Sequence, residues 1–294
     1  MEGQRFTEGG RIALGAWVSG FPVDPAAMEH FSELSGRPPA IAHSFQRWQP
    51  GRPFDFAAVD AAAAIGAMPM VSWEPGPVLD AVVRGEWDAW VTAAAGSVAA
   101  DGRPILLRFA HEMNLSQIPW FGPPEPFLTA WQRVHERFLA AGATNLRWVW
   151  SPYVDGPNAT PLEAYLPPLD TVDWIGLDGY NWGRQGWRNL WAGFDELFVD
   201  SLAAVRSLAP QLPVMLAEIG CAARGGDKAA WMRDALLRAI PAHDMVRAVV
   251  WFHENKREHA DWRVDSSASA LEAWREAAAD PRYSMRPEEL LRIG

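Results

Sequence analysis

Residues 104–138, PILLRFAHEMNLSQIPWFGPPEPFLTAWQRVHERF, hold the unit from which the whole chain is built. Pro104–Phe109 is an apolar run of strand length. A polar cluster, His111, Glu112 and Asn114, follows it. Then Phe127, Trp131, Val134 and Phe138 recur at spacings of four, three and four, the stripe of an amphipathic helix. Working outward, the same alternation recurs along the chain. Apolar runs stand at Ile12–Val18, Ala40–Phe45, Ala67–Trp73, Leu146–Ser151, Val172–Tyr180, Pro213–Ile219 and Val246–Phe252. Each is mostly apolar, as expected for strands buried on both faces.

Helical patterns fill the gaps. Asp24-Pro25 opens one with a capping residue and Pro at the first position, and Gly36 closes it. Asp55–Ile65, Glu86–Ala100, Leu197–Leu208, Lys228–Ile240 and Ala268–Ala279 supply the others. Only the segment after the fifth strand is weak; Pro161–Leu166 reads as a short helical turn. Eight strand–helix repeats without a linker predict an α/β fold, a single (β/α)8 TIM barrel over residues 1–294. An open doubly wound sheet would want a phosphate-binding loop after its first strand, and Gly15-Ala16-Trp17-Val18-Ser19-Gly20 is a poor one.

Composition narrows the function. The chain has 294 residues, with 26 Lys+Arg against 36 Asp+Glu, a formal charge of −10. That balance lacks the basic footprint of a nucleic-acid binder. A single Cys excludes a disulfide framework within the chain and a multi-cysteine zinc site. No apolar stretch approaches the ~20 residues of a membrane span. The polar start, Met1–Gly10, has none of the marks of a secretory signal, which leaves a cytoplasmic protein and a trimmed secreted one both open. The chain is read as a monomer needing no metal and no cofactor. Its outlying number is 17 Trp beside 4 Tyr.

In a barrel of this kind the active site forms at the C-terminal ends of the strands. Those ends are rich in carboxylates, aromatics and amides. Strand alternation puts Arg108, Ala110 and Glu112 on one face, and Val214, Leu216 and Glu218 on another. If both faces point inward, two glutamates rise from opposite sides of the mouth. Glycosidic bond cleavage needs such a pair, one carboxyl to protonate the leaving oxygen and one carboxylate to handle the anomeric carbon. Gly176, Asp178 and Tyr180 also share a face, so the Tyr180 hydroxyl could donate to Glu218 and orient it. Arg108 reads as a buried partner for a strand-end carboxylate. His111 reads equally as a core histidine or a site residue, and His43 and His253 as structural. Asn114 is a candidate for substrate binding. Trp73, Trp120, Trp150, Trp182 and Trp251, at strand ends or in the loops beyond, are candidates for stacking on sugar faces. Trp87, Trp90, Trp131, Trp231 and Trp274 read as helix packing, and Cys221 as an inert buried thiol.

Several blocks resemble glycoside hydrolase family 26: SWEPG (Ser72–Gly76), RFAHEMN (Arg108–Asn114), WVWSP (Trp148–Pro152), DWIGLDGYNW (Asp173–Trp182), LAEIG (Leu216–Gly220), VVWFHENK (Val249–Lys256) and DWRVDS (Asp261–Ser266). They run in order from the third strand to the end of the barrel. The resemblance implies a retaining β-glycanase of the β-mannanase, mixed-linkage β-glucanase or β-xylanase kind. It implies Glu112 as acid/base and Glu218 as nucleophile. His111 then neighbours the acid/base, Tyr180 contacts the nucleophile, and Asp178 and Trp251 line the subsite of the cleaved sugar. The partner is then a β-glycan polysaccharide or oligosaccharide. One departure stands out: many members follow the acid/base block with Gly and an aromatic residue, whereas Leu115-Ser116-Gln117-Ile118-Pro119 intervenes here before Trp120. Two other readings stay open, a non-catalytic glycan-binding barrel and a barrel enzyme of other chemistry. The latter would want a His-rich or Lys-bearing mouth.

Overall fold

The computed structural model describes residues 10–156, 159–185, 188–256 and 259–293. Eight parallel strands close a barrel: β1 (Ala13–Val18), β2 (Ile41–Arg47), β3 (Met68–Glu74), β4 (Ile105–Phe109), β5 (Leu146–Trp150), β6 (Trp174–Asn181), β7 (Val214–Cys221) and β8 (Val246–His253). Neighbours run in chain order and β1 pairs with β8 to close the ring. The predicted (β/α)8 barrel is therefore the observed one, and every strand falls within two residues of its predicted limits. The polar start of the chain, residues 1–9, lies outside the described residues.

Local chemistry accounts for the helices. In α1 (Pro25–Ser35) the Asp24 carboxylate accepts from the Ala26 amide at 3.1 Å, and Gly36 ends the helix at φ 74°, a left-handed cap. The ring continues with α2 (Ala57–Ala64), α3 (Leu79–Val83), α4 (Asp88–Asp101), α5 (Pro124–Ala140) and α6 (Phe194–Leu208). Next, α7 (Lys228–Arg233) passes through a π-helical stretch, Asp234–Ala239, into α8 (Ile240–Ala242), and α9 (Ala268–Ala279) completes the ring. After β5 the chain makes only the 3₁₀ turns Leu162–Tyr165 and Leu169–Thr171, as the weak helical pattern there predicts. None of the described helices is long and apolar enough to cross a membrane.

Two apolar populations result. Inside the barrel, Ala13, Ile41, Met68, Met70, Leu106, Val149, Trp174, Met215, Ala217, Ala248 and Val250 pack together, closed below by Met285 and Leu290. Outside, alternate strand residues pack against the helices; Leu107, Trp148, Val214, Leu216 and Val249 are among them. The alternation breaks at one point in β7. Leu216 pairs with Leu177 but Glu218 pairs with Asp178, so Ala217 is an extra residue in the ladder. Ala217 and Glu218 consequently both face inward, one in the interior core and one at the mouth. Val214 and Leu216 therefore face the helices, and they do not share the face of Glu218 as simple alternation predicts.

Candidate active site

The chain leaves β4 through two left-handed residues. Ala110 has φ 48° and Glu112 has φ 52°. Such backbone is strained for residues with a Cβ, by on the order of 1–3 kcal/mol each, and needs surrounding bonds to persist. Those bonds are present. The Ala110 amide donates to the Trp73 carbonyl at 3.2 Å, and the Glu112 amide to the Ser151 carbonyl at 2.7 Å. Trp120 Nε1 donates to the His111 carbonyl at 2.8 Å. Asn114 Nδ2 donates to the carbonyls of Tyr153 and Thr160, while its Oδ1 accepts from the Tyr153 amide. Glu112 thus reaches the barrel mouth through a double turn after the strand has ended at Phe109, where period-two alternation no longer applies.

Glu218 is held on both oxygens. Arg108 Nη1 donates to Oε1 at 2.6 Å and the Tyr180 hydroxyl donates to Oε2. The Arg108 fork turns its other arm to Asp178, whose second oxygen accepts from Ser151 Oγ at 3.1 Å. Arg108 and Asp178 are completely buried and Glu218 is 4 % exposed. His43 lies behind, with Nε2 2.7 Å from Ser72 Oγ and 3.4 Å from Arg108 Nη1. Burial and the Arg108 charge push both His43 and His111 well below the usual imidazole range, so both are neutral at pH 7. Burial and the nearby carboxylates raise the Tyr180 phenol, which stays a donor. Burial raises the Asp178 carboxyl, against the pull of Arg108.

Above this network opens a cleft of about 880 Å³. Its walls carry Trp17, Phe45, Tyr180, Trp182, Phe252 and Trp262, with Glu112 and Glu218 at the floor. Trp17 stacks on Phe252 at 4.3 Å between ring centroids, and Trp182 meets Trp262 edge to face at 4.9 Å. Gly220 permits this crowding: a Cβ there would sit 3.0 Å from the Trp262 ring and 3.1 Å from the Tyr180 ring. Charged side chains stand at the edge, Arg47 donating to Glu74 at 3.3 Å and Lys256 over the Phe252 ring at 5.0 Å. Beside Glu112 the wall is Leu115, Gln117, Ile118 and Tyr153, so the departing loop noted in the sequence does line the cleft.

The structure brings Arg108, His111, Glu112, Tyr180 and Glu218 together, but it sorts the sugar-stacking candidates differently. Trp73, Trp150 and Trp251 face outward, fully buried between strands and helices, and none reaches the cleft. Trp120 backs His111 from behind. Asn114 ties the loop after β4 to the loop after β5, and Asp178 is spent on Arg108 and Ser151. Of the five stacking candidates only Trp182 lines the cleft. Trp17, Phe45, Phe252 and Trp262 take the other positions. Phe252 was detectable, since small Ala248 and Val250 mark the inward face of β8 and Phe252 continues it. Trp131, Trp231 and Trp274 are buried packing residues. Cys221 is buried, with its thiol pushed up to about 12.

The chain is 35% identical over 276 residues to Endoglucanase H of Acetivibrio thermocellus, a match covering 90% of this chain. The chain spans about 30% of the length of that relative. No family model matches. Among solved structures, the catalytic domain of a GH26 endo-β-1,4-mannanase from Bacillus sp. JAMB-750 superposes with a TM-score of 0.72 at 17% identity, covering 98% of this chain and 91% of its own. A modular endo-β-1,4-mannanase from Cellulomonas fimi gives 0.70 at 19% identity, over 95% and 72%. GH26A from a Muricauda species gives 0.67 at 18% identity, over 94% and 92%.

Proposed function

We propose, for a chain that carries the mannanase-type barrel of glycoside hydrolase family 26, a retaining endo-β-glycanase acting on β-1,4-linked polysaccharide. The single observation that supports it most is the pairing of Glu112 with a Glu218 held on both oxygens at the floor of an aromatic cleft. The substrate is a β-glucan, mixed-linkage glucan included, before a β-mannan. The greater identity to a protein named as an endoglucanase favours that order over the mannanase folds, which match at lower identity. Xylan is the remaining candidate.

In the proposed reaction Glu112, as the acid, gives its proton to the glycosidic oxygen. The bond from that oxygen to the anomeric carbon breaks as a Glu218 oxygen attacks the carbon, and a glycosyl–enzyme ester forms. Glu112, now a carboxylate, takes a proton from water. The resulting hydroxide equivalent attacks the anomeric carbon and Glu218 leaves. Arg108 and Tyr180 fix the Glu218 carboxylate throughout, so its orientation is set before substrate arrives.

Reducing-sugar release from barley β-glucan, cellulose, mannan and xylan tests the activity, and proton NMR of the first product tests the stereochemistry. The expected result is hydrolysis of glucan with a β-configured new end. An α-configured end refutes retention. Release from none of the four, with a polysaccharide still bound, would leave a glycan-binding barrel. Glu112→Ala should lose more activity on polysaccharide than on an aryl glycoside whose leaving group needs little protonation.

A further inference from the structure

Lys228 has no role in the reaction above, yet it is 5% exposed and at the first turn of α7. Among the described residues no carboxylate lies within ion-pair distance of it. Its Nζ instead donates to the carbonyl of Arg263 at 2.7 Å and to that of Asp261 at 3.2 Å. Those carbonyls flank Trp262, which lines the cleft and touches the Tyr180, Trp182 and Phe252 rings. A buried ammonium without a counter-ion costs free energy unless its bonds return something. Charge-assisted bonds to two carbonyls two positions apart fix the backbone of one turn.

We propose that Lys228 is a positioning residue of the sugar-binding cleft: it clamps the carbonyls on either side of Trp262 and so holds that indole as a platform beside Glu218. The proposal rests on the glycanase reading for its functional consequence. The rest of the turn agrees with it. Trp251 Nε1 donates to the Trp262 carbonyl at 2.8 Å, the Trp262 amide donates to the Glu254 carbonyl at 2.8 Å, and the Val264 amide donates to His253 Nδ1 at 3.2 Å. The outward Trp251 therefore serves the cleft through this loop, although it does not enter it. Burial lowers the Lys228 ammonium to about 8. The other titratable or charged groups facing it are Cys221, Asp261, Arg263, Asp265 and His253. His253 sits at about 4 and Cys221 at about 12, so around pH 8 Lys228 is the member of this set that changes charge.

The test is a double-mutant cycle on KM for β-glucan. Lys228→Met should raise KM about tenfold or more, the equivalent of losing charge-assisted bonds, with kcat changed far less. Trp262→Ala should raise KM similarly, and adding Lys228→Met to it should change nothing further. A lysine acting only on general stability would raise KM equally in both backgrounds, which would overturn the proposal. The wild type provides the second arm should Lys228→Met not fold. Its KM should rise between pH 7 and 9.5 relative to that of Trp262→Ala, and parallel profiles would count against the clamp. A third arm needs no activity. In wild type without substrate, amide exchange of residues 260–265, corrected for the intrinsic rate, should quicken above pH 8, and unchanged protection refutes the clamp. Activity on no glycan, with that exchange response present, would refute the glycanase reading and leave the clamp standing.

Discussion

Replacing Arg108 by Met would leave two buried carboxylates facing each other with no cation. Asp178, completely buried, would keep only Ser151, and Glu218 only Tyr180. The two residues are register partners across β6 and β7, so they cannot move apart. The protein must then hold a proton on one of them. Holding a proton at pH 7 on a carboxyl whose unfolded pKa is ~3.9 costs about 4 kcal/mol, at roughly 1.4 kcal/mol per pH unit. Breaking a buried ion pair by removing one partner costs about 3–5 kcal/mol by an independent route. The sign of the pH dependence follows. A carboxyl raised above its unfolded value contributes most when it is protonated in both states, and that contribution is lost as pH rises. Burial already raises Asp178 with Arg108 in place, and the substitution moves it further in the same direction. At pH 5 the same proton costs only about 1.5 kcal/mol. Part of that cost is already present in the wild type, so urea unfolding followed by tryptophan fluorescence should find Arg108→Met destabilised by up to about 4 kcal/mol at pH 7 and by less at pH 5. A loss under about 1 kcal/mol at pH 7, or one equal at both pH values, would refute Arg108 as the counter-ion of this pair.

Tyr180→Phe removes one of the two donors to Glu218, and kcat/KM on glucan should fall roughly 10- to 100-fold with little change in melting temperature. Steady-state kinetics beside a thermal melt checks both halves. The tryptophans divide by face rather than by position along the strand. Trp182→Ala, in the cleft, should raise KM, whereas Trp150→Phe, on the outward face of β5, should lower the melting temperature by a few degrees and leave KM alone.

The eight strands were legible because a strand buried on both faces must be mostly apolar, and the runs read as strands are; β2 departs most, ending in Gln46 and Arg47 after His43 and Ser44. The same property hid which way each residue points. In WVW (Trp148–Trp150) nothing in the sequence contrasts one face with the other, so Trp150 could be placed at a strand end but not on a side. Glu218 and Glu112, which both line the cleft, were picked out by an alternation that does not hold there. The extra residue Ala217 reverses the face in β7, and the left-handed turns at Ala110 and Glu112 redirect the chain after β4. Neither device carries a glycine or proline to announce it. Asp178 was readable as inward-facing, but its capture by Arg108 depends on a residue 70 positions away.

The outward tryptophans give the barrel a mechanical property. Trp73 lies between Ser72 and Glu74, Trp150 is followed by Ser151, and Trp251 is followed by Phe252. Ser72, Glu74, Ser151 and Phe252, which face the network or the cleft, are thus each bonded to a buried indole wedged beneath the helices. Large rings in a close-packed layer resist displacement, because any shift opens a void or forces an overlap. The strand ends are keyed in place like stones in an arch, and the mouth has little slack to take up. If the site runs the proposed glycanase reaction, the dipoles and charges that meet a developing oxocarbenium ion need no rearrangement when it forms. The cost of orienting them was met when the chain folded.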